Sequence, residues 1–294
     1  DGEFLSVCAI PDGEEDRLYA VIRRGASQFV ERMSAFEFTD ITNYVGLDCS
    51  LSFDGTEPNN SHHVHISGGT NWTPSETLTL TMSHNHFAYP ATTDVGDQIV
   101  VYDASGEEYR LTILATSSAT VATAKPNKTI PPALRTVAIY GWAWARNSFT
   151  GLGHLNGFTV RALADGVALE PQVVSGGTIT ITNPAVHIVV GLPYTCDLET
   201  LPVAMQIDGF GQGRTKNINK AWLKVYQAAG MEIGPDADNL VPASPYETTP
   251  ELKTSEIQVL MTPAWQDSGT VFVRQSDPVP TTVLGMTTEV SIGG

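Results

Sequence analysis

Across residues 151–202, apolar and β-branched positions recur with a period of two, and turn residues break the pattern at short intervals. Phe158, Val160 and Ala162 alternate with Thr159, Arg161 and Leu163 until Asp165-Gly166. An Asp-Gly pair between two such runs predicts a tight hairpin, because both residues tolerate positive φ. Residues 167–174 form the predicted return strand, with Pro171 requiring an edge position or a bulge. Ser175-Gly176-Gly177 turns the chain again. Two β-branched runs, 178–182 and 186–190, then flank an Asn183-Pro184 turn and complete a predicted β meander.

The same reading extends in both directions. Runs at 4–10, 18–24 and 28–33 predict three strands around Pro11-Asp12-Gly13 and Gly25-Ala26, with the third strand's register left open by the short loop at Gly25. Residues 45–53 lead out through Asp54-Gly55. From 56 to 147 the composition shifts to Ser, Thr, Asn and His, with short strands predicted at 77–82, 98–102, 109–114 and 120–124. Asp94-Val95-Gly96-Asp97 before QIVVYD fits the start of a hairpin in a small barrel, so this region reads as an inserted barrel or sandwich. Residues 139–145 carry Trp142 and Trp144 on one face and return the chain to its parent domain. In 219–227, Trp222, Lys224 and Tyr226 alternate with Leu223 and Val225, which favours a hairpin through Ala229-Gly230 into 231–233 over a short helix. Residues 234–246 read as an ordered, proline-bearing loop. Residues 256–261 and 271–275 are predicted to pair, and Pro278 and Pro280 precede a C-terminal strand. No constant-period repeat is visible. The expected class is all-β and multi-domain, divided at 1–55, 56–147 and 148–294.

Composition narrows the functional classes. A 41% hydrophobic content excludes general disorder, and no apolar run approaches the eighteen residues of a membrane-crossing helix. The formal charge of −16 argues against gripping nucleic acid through neutralised phosphates. Cys8, Cys49 and Cys196 are odd in number and widely spaced, so they are expected to be reduced and packed as small hydrophobes. The chain enters a strand pattern almost directly at Asp1, which predicts the later part of a longer polypeptide.

The strings GLGHLNGFTVRALADG, VVSGGTITI and VGLPYTCDLETLP resemble the core of the tail nozzle, or tail tubular B-like, family of short-tailed bacteriophages, also described as packaged-DNA stabilisation proteins. DGEFLSVCAIPDGEEDRLYAVIRR, WLKVYQAAGMEIGPDADNLVP and VFVRQSDPVPTTVLGMTTEVSIGG fall in the family's order. The likeness covers most of the chain in patches and is weakest across 55–145. It implies β-sandwich or barrel domains, a propeller-like blade at 1–55 completed upstream of Asp1, an inserted small β domain at 56–147, and a ring wall at 148–294. It also implies a structural virion protein of the tail, not an enzyme. Six copies would form a ring below the portal and adaptor that retains packaged DNA and conducts it at ejection. Expected partners are further copies, head–tail connector proteins, tail fibres or spikes, and genomic DNA passing through the lumen, whose phosphates a negative wall would repel. The alternative is a tail-attached carbohydrate- or fibre-binding module, and a third reading is a β-structured hydrolase of cell-wall polymers.

Few residues suggest chemistry of their own. His62, His63 and His65 precede His84 and His86, and the pairs His63/His65 and His84/His86, each on one strand face, have imidazoles suited to a metal. Their Ser/Thr/Asn-rich setting reads instead as solvated, with no carboxylate at a supporting spacing, so no metal and no cofactor are expected. Asp236 and Asp238 start like a calcium loop but lack its glycine and terminal glutamate, which leaves an Asx turn. The glycine-rich stretch 209–216 lacks the strand–loop–helix setting of a phosphate loop. The resemblance implies assembly contacts near it, which makes Arg214 and Lys216 candidates for a subunit or DNA contact, and Trp222 and Tyr226 join them as interface candidates. The aromatics Trp142, Trp144, Trp222, Trp265, Tyr194 and Tyr226 could form a sugar platform, but more often such residues fill a core or an interface. Ser175 lies in no nucleophile elbow.

Overall fold

The computed structural model describes residues 2–13, 15–34, 38–204, 214–243 and 252–293. Among the described residues strands dominate, arranged in five sheets, and the helical pieces are three short 3-10 turns. No helix among them is long and apolar enough to cross a membrane.

Strands β1 (Glu3–Asp12), β2 (Glu15–Arg24) and β3 (Ser27–Arg32) form an antiparallel sheet in that order. The turn at Gly25 (φ 62°) is tight, and the β2–β3 register runs unbroken from Tyr19↔Arg32 to Arg24↔Ser27. β1 is exposed along its whole length, and no residue of this sheet joins a hydrophobic cluster. The sheet is tethered instead by Phe29, edge-on to His154 at 5.9 Å, and by a two-pronged Arg24–Glu31 pair (2.7 and 2.9 Å) beside Cys49.

After β4 (Asp48–Asp54) come β5 (Val64–Ser67), β6 (Leu78–Met82), β7 (Gln98–Tyr102), β8 (Glu108–Thr116), β9 (Val121–Pro126), β10 (Ala138–Ile139) and β11 (Ala143–Phe149). Alternation decides which face is inside: Leu78, Leu80 and Met82 are buried while Thr79 and Thr81 face outward, and Val64/Ile66 and Leu111/Ile113 repeat the pattern, whereas β7 is buried on both faces, Ile99 and Val101 on one and Val100 on the other. The order is β10-β5-β6-β9-β8-β7-β11. β5 and Trp144 of β11, near opposite ends of this order, feed one core, so the sheet curls around it. No ladder joins β10 to β11 among the described residues, so of the expected barrel or sandwich the closed barrel is not formed and the sheet is open and curled. Asp97, at the end of the Asp94–Asp97 turn, holds the β11 side of the opening. Its carboxylate accepts from Trp144 Nε1 (3.1 Å) and from the Asn147 amide (3.0 Å).

Strands β12 (Thr159–Ala164), β13 (Val167–Ala168), β14 (Gln172–Val173), β15 (Ile179–Ala185) and β16 (His187–Leu192) follow. The Asp165-Gly166 hairpin forms as predicted, with φ of 46° and 80° and Ala164 opposite Val167. The meander does not continue as expected. β15 pairs with β11 and extends the curled sheet, whereas β16 lies between β12 and β4. Asn183-Pro184 falls inside β15, where the register with β11 shifts between Arg146↔Ala185 and Ser148↔Thr180. The bulge lets neighbouring residues serve different cores: Ile179, Ile181 and Ala185 pack with β12 and β16, and Val186 packs with Val100, Ala143 and Ala145. Residues 48–54 thus share a sheet with β12, β13, β14 and β16.

The rest comprises β17 (Cys196–Glu199), β18 (Lys216–Ala228), β19 (Glu232–Gly234), β20 (Val241–Pro242), β21 (Lys253–Leu260), β22 (Phe272–Gln275) and β23 (Val283–Ile292). The sheets β21-β18-β23 and β17-β22-β19-β20 share one core, to which Leu223, Ile233, Val259 and Val273 belong. The stretch around Trp222 is a strand rather than a helix, but Ala229-Gly230 does not fold it back, because β19 pairs with β20 and β22. Likewise 256–261 and 271–275 enter different sheets instead of pairing, since each buries its apolar face from the opposite side of the shared core.

Candidate functional site

A groove of about 440 Å³ opens where β4, β11 and the β15–β16 junction meet. Its floor is set by backbone. The Gly55 amide donates to Val186 O (2.9 Å), the Trp144 amide to Gly55 O (2.7 Å) and the Glu57 amide to Trp142 O (3.0 Å). Gly55 is required here: a Cβ would sit 2.0 Å from Trp144 O. Asp54 steadies the same turn by accepting from the Thr56 amide (2.8 Å). Phe53, Phe149, Trp142, Trp144 and Arg146 line the walls, and Glu57 and His86 form one end.

That end gathers imidazoles from two loops around one carboxylate. His62 Nδ1 lies 3.0 Å from Glu57 Oε1, and His86 Nε2 lies 3.8 Å from Glu57 Oε2. His84 stacks on His62 (ring centroids 3.8 Å), and His86 stands edge-on to both His62 (5.4 Å) and Trp142 (5.0 Å). Backbone bonds hold the loops: the His62 amide donates to Asn59 O (2.9 Å) and the His86 amide to Ala119 O (2.9 Å). Burial pushes the His86 pKa below its ordinary value, with Glu57 opposing the shift and His62 and His84 adding to it. His86 Nε2 is fully buried and has no hydrogen-bond partner.

The facing pairs His63/His65 and His84/His86, weighed in the sequence against solvated histidines, do not form, and the solvated setting does not hold for His86, whose Nε2 is buried. His65 lies in β5 and His63 just ahead of it, where His63 packs against Tyr140 (5.3 Å), and His62 is the residue that meets His84 and His86. Glu57 supplies the carboxylate that spacing did not reveal, because a turn rather than a strand period brings it in.

The other candidates scatter. Lys216 is 2% exposed, and its ammonium donates to Asp267 O (2.8 Å) and Arg214 O (3.2 Å), which removes it from the surface candidates. Arg214 is exposed, Trp222 is half-buried, and Tyr226 is exposed on the outer face of β18. The glycine-rich stretch up to residue 213 lies outside the described residues. Asp236 accepts from the Asp238 amide (3.0 Å) and from Asn239 Nδ2 (2.8 Å), the predicted Asx turn. Cys8 and Cys196 are exposed, contrary to the expected packing, because each lies on an exposed strand. Cys49 does pack, and burial raises its thiol pKa to about 11. No family model and no curated protein matches this sequence.

Proposed function

We propose that this chain is a structural subunit of a short-tailed bacteriophage tail, one copy in a ring-shaped nozzle that retains packaged DNA and conducts it at ejection. The observation that carries this reading is apolar surface on two unrelated sheets. β1–β3 contributes to no hydrophobic cluster and leaves Phe4, Val7 and Val30 in water, Val30 at 74% exposure. The outer strands of the β21-β18-β23 sheet expose Leu260 and Leu284, at 68% and 59%. Apolar side chains grouped on an exposed sheet face are a mark of an interaction surface. Two dissimilar sticky surfaces suit head-to-tail contact, which closes into a ring when the rotation allows. By this reading β1–β3 is a propeller-like blade, the β18 region builds the wall, and 56–147 decorates the periphery. The charge of −16 suits a conduit whose wall must not hold phosphates. A glycan-binding groove is disfavoured, since Trp142 and Trp144 are 1% and 6% exposed and offer no free ring face.

Sedimentation of the purified chain tests the reading. A closed oligomer is expected, reduced to monomer by Leu260→Asp combined with Leu284→Asp. A parent chain that stays monomeric at every concentration overturns it.

A further inference from the structure

We propose that Glu57, His62 and His86 together bind one divalent transition-metal ion of the zinc class at the end of the groove. The three ligand atoms already lie within 4.8 Å of one another. Bonds of about 2.0–2.1 Å to a tetrahedral ion put ligand atoms about 3.4 Å apart, so His62 (3.0 Å from Glu57) and His86 (3.8 Å) bracket the ideal spacing. Two imidazoles and one carboxylate are a zinc-type donor set, whereas calcium and magnesium take oxygen ligands. His86 adds an independent observation. Its Nε2 is buried, faces the carboxylate and makes no hydrogen bond, a costly arrangement for a polar atom that an ion would resolve.

The ion would join the β4–β5 connection to the loop after β6, fixing one wall of the groove. Its coordination also changes a hydrogen bond that can be followed. Asn59 Oδ1 accepts from the Ser61 amide (2.9 Å) and hydroxyl (2.7 Å), which leaves Asn59 Nδ2 to donate to His62 Nε2 (3.1 Å). His62 therefore carries its proton on Nδ1 and gives it to Glu57. A metal at Nδ1 moves that proton to Nε2, opposite the amide donor. Asn59 thus acts as a positioning residue that opposes the ion, and Asn59→Asp would supply an acceptor and tighten the site about tenfold or more, as outer carboxylates do for ligating histidines.

The test strips the full chain with a chelator and titrates it with zinc, then with cobalt(II) for its visible absorption. One equivalent is expected, with the spectrum of a low-coordinate ion and a rise in melting temperature. His62→Ala and His86→Ala should each weaken binding about tenfold or more, and His65→Ala, on the outer face of β5, should not. Metal-free melting temperatures establish that each variant is folded. The proposal is overturned if the parent chain binds no zinc, or if the combined His62→Ala/His86→Ala variant binds it as tightly. If Asn59→Asp fails to tighten binding, coordination through His62 Nδ1 is overturned.

Discussion

Two carboxylates, Asp97 and Glu31, carry opposite electrostatic roles. Asp97 is held by Trp144 Nε1 and the Asn147 amide, yet burial raises its pKa, so its ionisation weakens the fold as pH rises through the carboxylate range. Asp97→Ala leaves both donors unpaired and is expected to cost about 2 kcal/mol, read by denaturant melts. Glu31 has the reverse sign. The hydrogen bonds from Arg24 hold its pKa below the ordinary 4.5, so its contribution is present above that value and is lost as pH falls through the depressed one. Glu31→Gln should cost about 1 kcal/mol at neutral pH and almost nothing near pH 2, a difference that melts at the two pH values measure directly. At Gly55 the constraint is steric. Gly55→Ala drives a methyl into the Trp144 carbonyl and should cost about 2–3 kcal/mol by the same measurement.

At the scale of elements, the Asp165-Gly166 hairpin links strand geometry to the joint between sheets. Asp165 turns β12 into β13, and its carboxylate also accepts from the Val186 (3.0 Å) and His187 (2.8 Å) amides where the chain crosses from β15 to β16. Arg110 of β8 closes the arrangement, donating to Asp165 Oδ2 (3.0 Å) and Pro184 O (2.8 Å). Asp165→Asn tolerates the positive φ but loses the ion pair, and is expected to cost about 1 kcal/mol. Asp165→Ala also strands the two amides and should cost about 3 kcal/mol, so the ordering of the two melts checks the dual role. Elements of this kind were legible in the sequence where local physics decides them: Leu78, Leu80 and Met82 alternate, and Asp-Gly needs only its own turn. Partnerships were not, because β4 finds β16 and β15 finds β11 through contacts between distant segments. The histidine cluster was half legible for the same reason. The imidazoles stood out as residue types, but Glu57 and His62 reach it through turns whose geometry no period encodes.

Across the whole molecule, apolar surface and charge point the same way. Three large hydrophobic clusters hold the curled sheet, the β12–β16 layer and the β18–β22 region, yet β1–β3 shares none of them. A three-stranded sheet without a core gains stability by packing against something else. Under the proposed nozzle reading, assembly of copies would supply that cover, and an acidic conduit would let DNA pass without adhesion. The most direct measurement is electron microscopy of the assembled particle, with the rotational symmetry of this chain determined without imposing any. The account predicts a six-fold ring on the axis beneath the portal, with β1–β3 and the outer strands of the β21-β18-β23 sheet buried between neighbours. Monomers, or copies attached away from the axis with those surfaces in solvent, would contradict it.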